Sequence, residues 1–201
     1  MILVKAFFLV YSRIKKFTVN HVYKLLFIVF LTLLSFQINA GTFVEKNKLK
    51  AALLFKLIQF IEWPEKTEYS ILNHFGLCVL GRDDFGVSLD FLNGRKINDH
   101  NIEIRRFKKS QSVIKYCQLV FISKSKEPFL QSILLNLQQH PILTISDSSN
   151  FAKKGGMIQL VNKNRHFSFI INLKKVQMSG LKISAPLLQL STIVESDRDV
   201  E

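Results

Sequence analysis

The sequence predicts a single α/β domain whose mixed parallel and antiparallel sheet is flanked by helices. Residues 141–172 contain three short apolar runs separated by clusters of Ser, Asp, Asn and Gly. Such runs, bounded by turn formers, are typical of strands near the middle of a sheet. Upstream, an apolar run at 117–122, a helix opening at Pro128 and the run at 142–145 form a βαβ pattern. This pattern implies locally parallel strands joined by a right-handed crossover.

The first 40 residues have the composition of a secretory signal peptide. Lys15, Lys16 and Lys24 precede a twelve-residue apolar run at 25–36, and the small residue Ala40 follows. A basic leader, a short apolar core and a small-residue cleavage site define such peptides. The alternative is a membrane anchor, but a spanning helix needs about 18 apolar residues. We therefore predict a signal peptide over 1–40, a domain over 41–201 and export to the periplasm.

The charge balance is strongly basic, with 28 Lys and Arg against 15 Asp and Glu. All the acidic residues and 23 of the basic ones follow Ala40, which leaves a formal charge of +8 on the domain. In the cytosol this excess would suggest nucleic acid as a partner. Export removes that expectation and leaves anionic membrane surfaces or acidic partner faces. Because the lysines are spread along the chain, plain surface solvation is the favoured interpretation.

The remaining elements follow from periodicity and turn chemistry. Thr42 and Glu45 have the spacing of a capping box that opens the first helix, which Pro64 ends. Ser184 is the expected cap of the last helix. The other predicted elements are an apolar helix face at Leu49, Leu53, Leu57 and Phe60 with Ala52 and Lys56, strands at 74–80 and 102–107, a short helix capped by Asp83 or Asp84 that runs to Leu92, and helices at 128–139, 173–180 and 185–194.

The two cysteines, Cys78 and Cys117, lie inside or at the edge of predicted strands. An even cysteine count in an oxidising compartment favours a disulfide, and neighbouring strands can bring the two α-carbons close enough. The alternative is a pair of separate buried thiols that act as small apolar residues. A lone pair at this spacing does not predict a metal site.

Candidate functional residues are few. Asp83 and Asp147 each follow a predicted strand, where open α/β sheets bind ligands, although capping of turns and helices is the alternative role. Trp63 is either a packing residue or an exposed anchor for a partner. Gly155 and Gly156 enter a strand without the spacing of a phosphate-binding loop. The five histidines lack metal-ligand spacing and no nucleophile–base motif occurs, so the sequence predicts no catalytic residue, metal or cofactor.

Several ordered stretches together resemble the YfiR family of small periplasmic proteins, over about residues 48–193. These stretches are 51–56 with Ile61-Glu62-Trp63-Pro64, 77–83, Cys117 with Phe121-Ile122-Ser123, 143–147, Phe151-Ala152 with 155–158, Ile171-Asn172, and 180–184 before Leu187-Leu188. The resemblance implies a non-enzymatic α/β regulator that restrains an inner-membrane diguanylate cyclase, or a similar sensor, by binding its periplasmic region. Release of that restraint raises cyclic di-GMP and favours biofilm.

The resemblance also implies homodimers and a bridge between Cys78 and Cys117. A second cysteine pair of the founding type, near the glycine pair, is missing here. For the partner surface we expect Trp63 and Phe85 as exposed anchors, flanked by Glu62 and Arg82. The alternative function is a periplasmic small-ligand binding protein that uses Asp83, Asp147 and the glycine turn to inform a membrane sensor. A hydrolase is disfavoured.

Overall fold

The computed structural model describes residues 40–64, 74–82, 85–97, 99–163 and 166–196, together with Lys24, Phe27 and Phe30. The chain divides into two compact units, Met1–Glu45 and Lys46–Glu201. The predicted signal peptide lies outside the described residues except for Ala40 and those three positions, so its cleavage stays a prediction. The second unit contains the sheet of the α/β domain.

In the described part of the chain, an eight-stranded sheet forms the centre of the domain, and the predicted α/β class is confirmed. Its spatial order is β10-β8-β7-β6-β5-β2-β4-β3, and β1 pairs antiparallel with β9 as a separate ribbon. The strand bounds are β1 Ile61–Glu62, β2 His74–Leu80, β3 Lys96–Ile97, β4 His100–Phe107, β5 Leu119–Ile122, β6 Leu143–Ser146, β7 Ile158–Lys163, β8 His166–Asn172, β9 Lys182–Ile183 and β10 Ser191–Val194.

The middle of the sheet is parallel, from β4 through β2, β5 and β6 to β7. Antiparallel pairs occur toward both ends, β3 with β4 and β7 with β8. The βαβ prediction is confirmed, because β5 and β6 pair in parallel across a helical connection. Nearly every residue of β2, β5 and β6 is buried, as expected for strands that are covered on both faces.

One long helix and several short ones cover the two faces. Their bounds are α1 Ala40–Ile58, α2 Val87–Asp90, α3 Gln111–Tyr116, α4 Leu130–Leu137, α5 Leu173–Met178 and α6 Ala185–Gln189, with a 3-10 helix at Lys124–Phe129 before α4. Strand residues alternate between two apolar clusters, because successive side chains point to opposite faces. Leu119 and Phe121 belong to the cluster that contains α1, whereas Val120 and Ile122 belong to the cluster with α4.

The predicted disulfide is confirmed. Cys78 of β2 and Cys117, just before β5, are bonded with an α-carbon separation of 5.8 Å. Both sulfurs lie in the cluster that contains α4. The parallel pairing of β2 with β5 brings the two α-carbons into the range that a disulfide requires.

Several boundary predictions were wrong. Helix α1 already includes Ala40, so Thr42 does not cap it, and the helix ends at Ile58 rather than at Pro64. Gly86, not Asp83 or Asp84, is the N-cap of α2. The predicted last helix ends at Gln189, and Ser191–Val194 is strand β10 instead. The β-branched residues Thr192, Ile193 and Val194 suit a strand better than a helix.

The glycine pair has two different structural roles. Gly155 has a φ of +98°, a conformation that a side chain disfavours, as the turn prediction required. Gly156 is needed for space, because an added Cβ would lie 2.1 Å from the Phe151 ring. Gly156 therefore lets the buried Phe151 pack directly against the backbone.

Candidate functional site

The carboxyl edge of the sheet contains the point where the chain connections diverge. From β2 the chain leads to β4 on one side, whereas from β5 it leads to β6 on the other side. In open α/β sheets, ligands bind outside the carboxyl ends of the strands at such a point. The residues that follow β2, β5 and β6 are therefore the first candidates for function.

An ion pair between a buried lysine and a partly buried carboxylate joins α1 to this edge. Lys50 Nζ lies 2.8 Å from Asp147 Oδ2, and Lys50 is only 4% exposed. The other carboxylate oxygen, Asp147 Oδ1, is buried and has no hydrogen-bond partner in the described part of the chain. Asp147 directly follows β6, as the sequence predicted, and Lys50 holds it in place.

Two aromatic rings enclose the lysine. The Lys50 ammonium lies 5.0 Å from the centroid of Phe85 and 5.2 Å from that of Phe121, and the two rings meet edge to face. Attraction to ring faces offsets part of the cost of removing the ammonium from water. Loss of one partner of a buried pair costs about 3–5 kcal/mol, because the other charge stays buried. The pair therefore fastens α1 to the carboxyl edge.

Hydrogen bonds of serine hydroxyls connect the strand ends around this ion pair. Ser146 Oγ donates to the Ile122 carbonyl at 2.6 Å and lies 3.1 Å from Ser148 Oγ. The Arg82 amide donates to Ser125 Oγ at 2.9 Å. These bonds tie the end of β2 to the loop after β5, and the end of β5 to the end of β6.

Gly81 allows this close approach of two loops. Its φ is +107°, and an added Cβ would lie 2.6 Å from Ser125 Oγ. A side chain would therefore be strained by the backbone conformation and would also collide with the serine. The turn after β2 depends on this glycine.

The structure separates the predicted site residues. Phe85 and Asp147 both contact Lys50, and the exposed Arg82 lies at the same edge. Asp83 lies outside the described residues. The expectation that Phe85 is an exposed anchor was wrong, because it is 2% exposed and packs against Phe121. An aromatic ring next to a buried lysine is more stable inside the core than in water.

Glu62 and Trp63 lie at the opposite, amino edge. Trp63 is partly buried and packs edge to face on Phe75, with ring centroids 5.1 Å apart. Phe75 is near the start of β2, whereas Arg82 follows its end, so the two edges are about 20 Å apart at strand rise. Glu62 is exposed on β1 and lies opposite Lys182 of β9. One compact site cannot include all six residues.

Sequence reasoning missed Lys50 and Phe121. The apolar face predicted for α1 was displaced around the helix axis from the face that is buried. Leu49 was predicted to lie on that face and is exposed, whereas Lys50 is buried. A sequence signal exists, since Lys50 falls in line with Leu54 and Leu57 at helical spacing. A lysine within such a stripe indicates a buried partner charge. Nothing local to the sequence identifies Asp147 as that partner.

A second feature is a cavity of about 110 Å³ between α4 and α5. Its lining is mixed, and Gly155 forms part of it together with Leu134, Leu137, Met157, Met178 and Lys175. Asp147 does not line this cavity and pairs with α1 instead. The glycine turn and Asp147 therefore do not form the single ligand site that the alternative function expected.

The geometry defines an α/β domain that carries a disulfide and a buried ion pair, and its described residues contain no cluster of three or more metal-ligating side chains. The sequence model of the YfiR/HmsC-like family matches residues 47–192, so the chain belongs to this family. The family is regulatory and non-catalytic. Among the described residues, no helix has the length and apolar character needed to span a membrane.

Proposed function

We propose that the protein is an exported regulator that binds the periplasmic region of an inner-membrane diguanylate cyclase, or of a similar sensor, and restrains it. Family membership over residues 47–192 is the observation that carries this proposal. Restraint lowers cyclic di-GMP and thereby opposes biofilm formation. The proposal includes a cleavable signal peptide, a periplasmic location and a homodimer.

The restraint acts through differential affinity. A bound protein shifts a two-state receptor only by as much as it prefers one state over the other. Coupling free energies of about 1–3 kcal/mol correspond to changes of about 5- to 150-fold. The domain thus needs no catalytic residue. It needs a rigid docking surface that fits the inactive receptor better than the active one.

Helix α2 supplies the best docking surface near the carboxyl edge. Val87 and Phe91, four residues apart on one helical face, are 70% and 65% exposed. Arg82 is exposed just upstream, and Arg106 pairs with Asp90 of the same helix at 2.8 Å. Aromatic and arginine side chains dominate binding hot spots. We therefore assign the anchor role that Phe85 cannot fill to Phe91, with Arg82 beside it.

The first test is the cellular level of cyclic di-GMP in a deletion strain and in the strain complemented with the exported protein. We expect a rise on deletion that complementation reverses. A level that does not change would contradict action on a cyclase and would direct the search to another membrane receptor.

The second test concerns the docking surface. We expect Phe91→Ala or Arg82→Glu to weaken receptor binding at least tenfold without a change in thermal stability, because both side chains are exposed. Leu190→Ala and Lys163→Glu are matched controls, since both residues are exposed elsewhere on the chain. Normal binding and regulation by well-folded Phe91→Ala and Arg82→Glu proteins would refute the surface.

Glu62 gives a separate test at the amino edge. We propose that Glu62 makes a second contact with the receptor or with the other protomer. Trp63, which packs on Phe75, would hold the strand that carries Glu62 in place. Glu62→Lys is expected to weaken receptor binding or homodimerisation, measured by pull-down and by light scattering. If neither changes, the binding surface is confined to the carboxyl edge.

Binding of a small ligand is the second candidate function, and the cavity between α4 and α5 favours it. Apolar Leu134 and Met157 together with Lys175 would suit a small amphipathic molecule. Thermal shift measurements with amino acids and nucleotides test this candidate. A stabilising compound should lose its effect when Gln138→Trp obstructs the cavity. If no compound raises the unfolding temperature, ligand binding is contradicted.

A further inference from the structure

Lysines gather where three adjacent parallel strands end. Lys108 and Lys109 follow β4, and Lys124 and Lys126 follow β5, while β2 lies between these strands. Parallel strands place their carboxyl ends at one edge, and neighbouring strands are about 4.8 Å apart. The ends of β4 and β5 are therefore about 10 Å apart. We call these four lysines the basic edge.

Hydrogen bonds hold the basic edge together. Lys126 Nζ donates to the Lys108 carbonyl at 2.6 Å, which links the segment after β5 to the segment after β4. Between them, the Gly81 amide donates to the Phe107 carbonyl at 2.9 Å, and the Ser123 amide donates to the Leu80 carbonyl at 3.0 Å. Lys108, Lys109 and Lys124 are therefore exposed on one connected surface, and the half-buried Lys126 joins its two segments.

The described carboxylates nearby are already paired with other cations. Glu127 pairs with Lys154 at 2.7 Å, Asp147 with Lys50, and Asp90 with Arg106. Lys108 and Lys109 form no ion pair with a carboxylate in the described part of the chain, and Lys124 forms no direct one, although its charge helps to lower the pKa of Glu127. Asp83 and Asp84 follow Arg82 in the sequence and lie outside that part. In the sequence, the four lysines outnumber these two carboxylates.

An exposed aromatic ring accompanies these charges. Phe129 is 61% exposed, and the Lys126 ammonium lies 6.0 Å from its ring centroid. Phe129 and Lys126 belong to the same 3-10 helix after β5. Basic residues combined with exposed apolar side chains are a feature of amphipathic helices that bind membrane surfaces, and this edge presents the same two kinds of group.

We propose that the basic edge binds the surface of a bilayer that contains anionic phospholipids. An acidic protein face is the weaker match, because lysine is depleted in protein–protein interfaces whereas arginine and aromatic residues are enriched. Flexible lysines suit the diffuse charge of headgroups, which demands no fixed geometry. Such binding would keep the domain beside a membrane receptor. That consequence rests on the proposed function, but vesicle binding itself does not.

The experiment is co-sedimentation of the purified exported chain with vesicles. We expect binding to vesicles of phosphatidylglycerol and phosphatidylethanolamine, little binding to phosphatidylcholine, and loss of binding at high salt, because salt screens exposed charges. Each lysine near an anionic surface contributes about fivefold in affinity. Lys108→Gln with Lys109→Gln should therefore weaken binding about 25-fold.

The matched control removes the same charge from the amino side of the sheet. Lys56 near the end of α1 and Lys115 near the end of α3 are exposed, and both elements lead toward the amino edge. Lys56→Gln with Lys115→Gln should change binding less than twofold. An equal loss in both double variants would overturn the proposal, since net charge alone would then be responsible.

Phe129 provides an independent variant. Phe129→Ser should weaken vesicle binding severalfold, whereas Leu135→Ser, another exposed apolar position, should not. A wild-type protein that binds the receptor's periplasmic region but no phosphatidylglycerol vesicles would refute the membrane surface and leave the regulator proposal intact. If the protein binds vesicles but its deletion does not change cyclic di-GMP, the membrane surface is supported and the regulator proposal is contradicted.

Discussion

The two edges of the sheet differ in how their charges and rings are arranged. On the amino side, Glu103 pairs with Arg105 at 2.7 Å, and the Arg105 guanidinium stacks 4.3 Å from the Tyr116 ring. At the carboxyl edge, one ion pair is buried between Lys50 and Asp147, while the lysines of the basic edge lack described carboxylate partners. On the amino side, these charged groups contact each other and an aromatic ring, while the exposed Lys56 and Lys115 lie on separate helices. At the carboxyl edge, lysines that follow two strands are collected on one surface.

This difference indicates that the buried contacts stabilise the fold, whereas the exposed basic edge serves binding. Exposed ion pairs contribute little to folding, and exposed unpaired cations contribute less, so the basic edge is not explained by stability. Buried features on both sides explain the fold: the disulfide, the Trp63–Phe75 contact and the Lys50–Asp147 pair. Substitutions on each side should therefore show different balances between lost stability and lost binding.

Removal of the disulfide should have the largest effect on stability. Cys78 and Cys117 are separated by 39 residues, and closing a loop of that length contributes about 4 kcal/mol in the chain-entropy model. We expect the double Cys→Ala variant to lose about that much free energy of unfolding in urea.

The control for this prediction is a reducing agent, which should destabilise the wild type and leave the double variant unchanged. Thiol labelling of the unreduced wild type should detect no reactive cysteine. Two reactive thiols in folded protein would contradict the bridge.

Loss of the buried charge pair should be the next largest effect. Lys50→Ala leaves Asp147 without its partner, and because the Asp147 side chain is about a fifth exposed we expect the low end of the usual range, about 3 kcal/mol. Urea unfolding followed by circular dichroism measures the loss.

Two companion variants sharpen that result. Lys50→Met combined with Asp147→Leu should recover most of the stability, since no charge stays buried. Lys56→Ala, on the exposed face of the same helix, should cost less than about 0.5 kcal/mol. Equal losses for Lys50→Ala and Lys56→Ala would show that the pair does not fasten α1.

At the amino edge, Trp63→Leu should cost at least about 1 kcal/mol, because the edge-to-face contact with Phe75 contributes about that much in addition to the ring burial that is also lost. Trp63 Nε1 is buried without a hydrogen-bond partner in the described part of the chain, so losing that group costs nothing more. Thermal unfolding of Trp63→Leu beside Phe91→Leu tests this. Phe91 is exposed, so Phe91→Leu should change the thermal stability little. A larger loss of stability from Phe91→Leu than from Trp63→Leu would contradict this prediction.

The smallest effect concerns Glu127. Lys154, through a hydrogen bond and its charge, lowers the pKa of Glu127 from its ordinary value of 4.5. A carboxyl with a depressed folded-state pKa adds stability above the unfolded value and loses it as the pH falls through the folded one. We expect Lys154→Ala to raise the pKa of Glu127, measured by NMR titration, with only a slight change in acid stability. A pKa that stays low would assign the shift to Lys124 instead.

Much of the fold was predictable, because its signals are local. The strand at His74–Leu80, the βαβ unit and the turn at the glycine pair follow from apolar runs and turn formers. Strand β10 was predicted as helix, since Pro186 and the leucines after it opened a helical pattern that the structure ends at Gln189. The capping of α1 failed for a similar reason, because a capping box is a pattern of four residues that can also occur inside a longer helix.

The site was less predictable than the fold. Asp147 was identified because it follows a strand, but its partner Lys50 was missed, since the apolar face predicted for α1 did not include it. Phe85 was expected outside and lies inside, where its ring packs against Phe121 beside the Lys50 ammonium. Arg82 is exposed as expected, whereas its role in binding stays a prediction.

By itself, the sequence determined the fold class, the family resemblance and the pair of cysteines that form the bridge, because periodicity, turn residues and composition act over short distances. Only the tertiary structure decided which distant side chains meet. Lys50 and Asp147 are 97 residues apart, and they are neighbours because β6 lies beside β5 beneath α1. The lysines after β4 and β5 form one surface for the same reason: strand order, not chain order, determines what shares an edge.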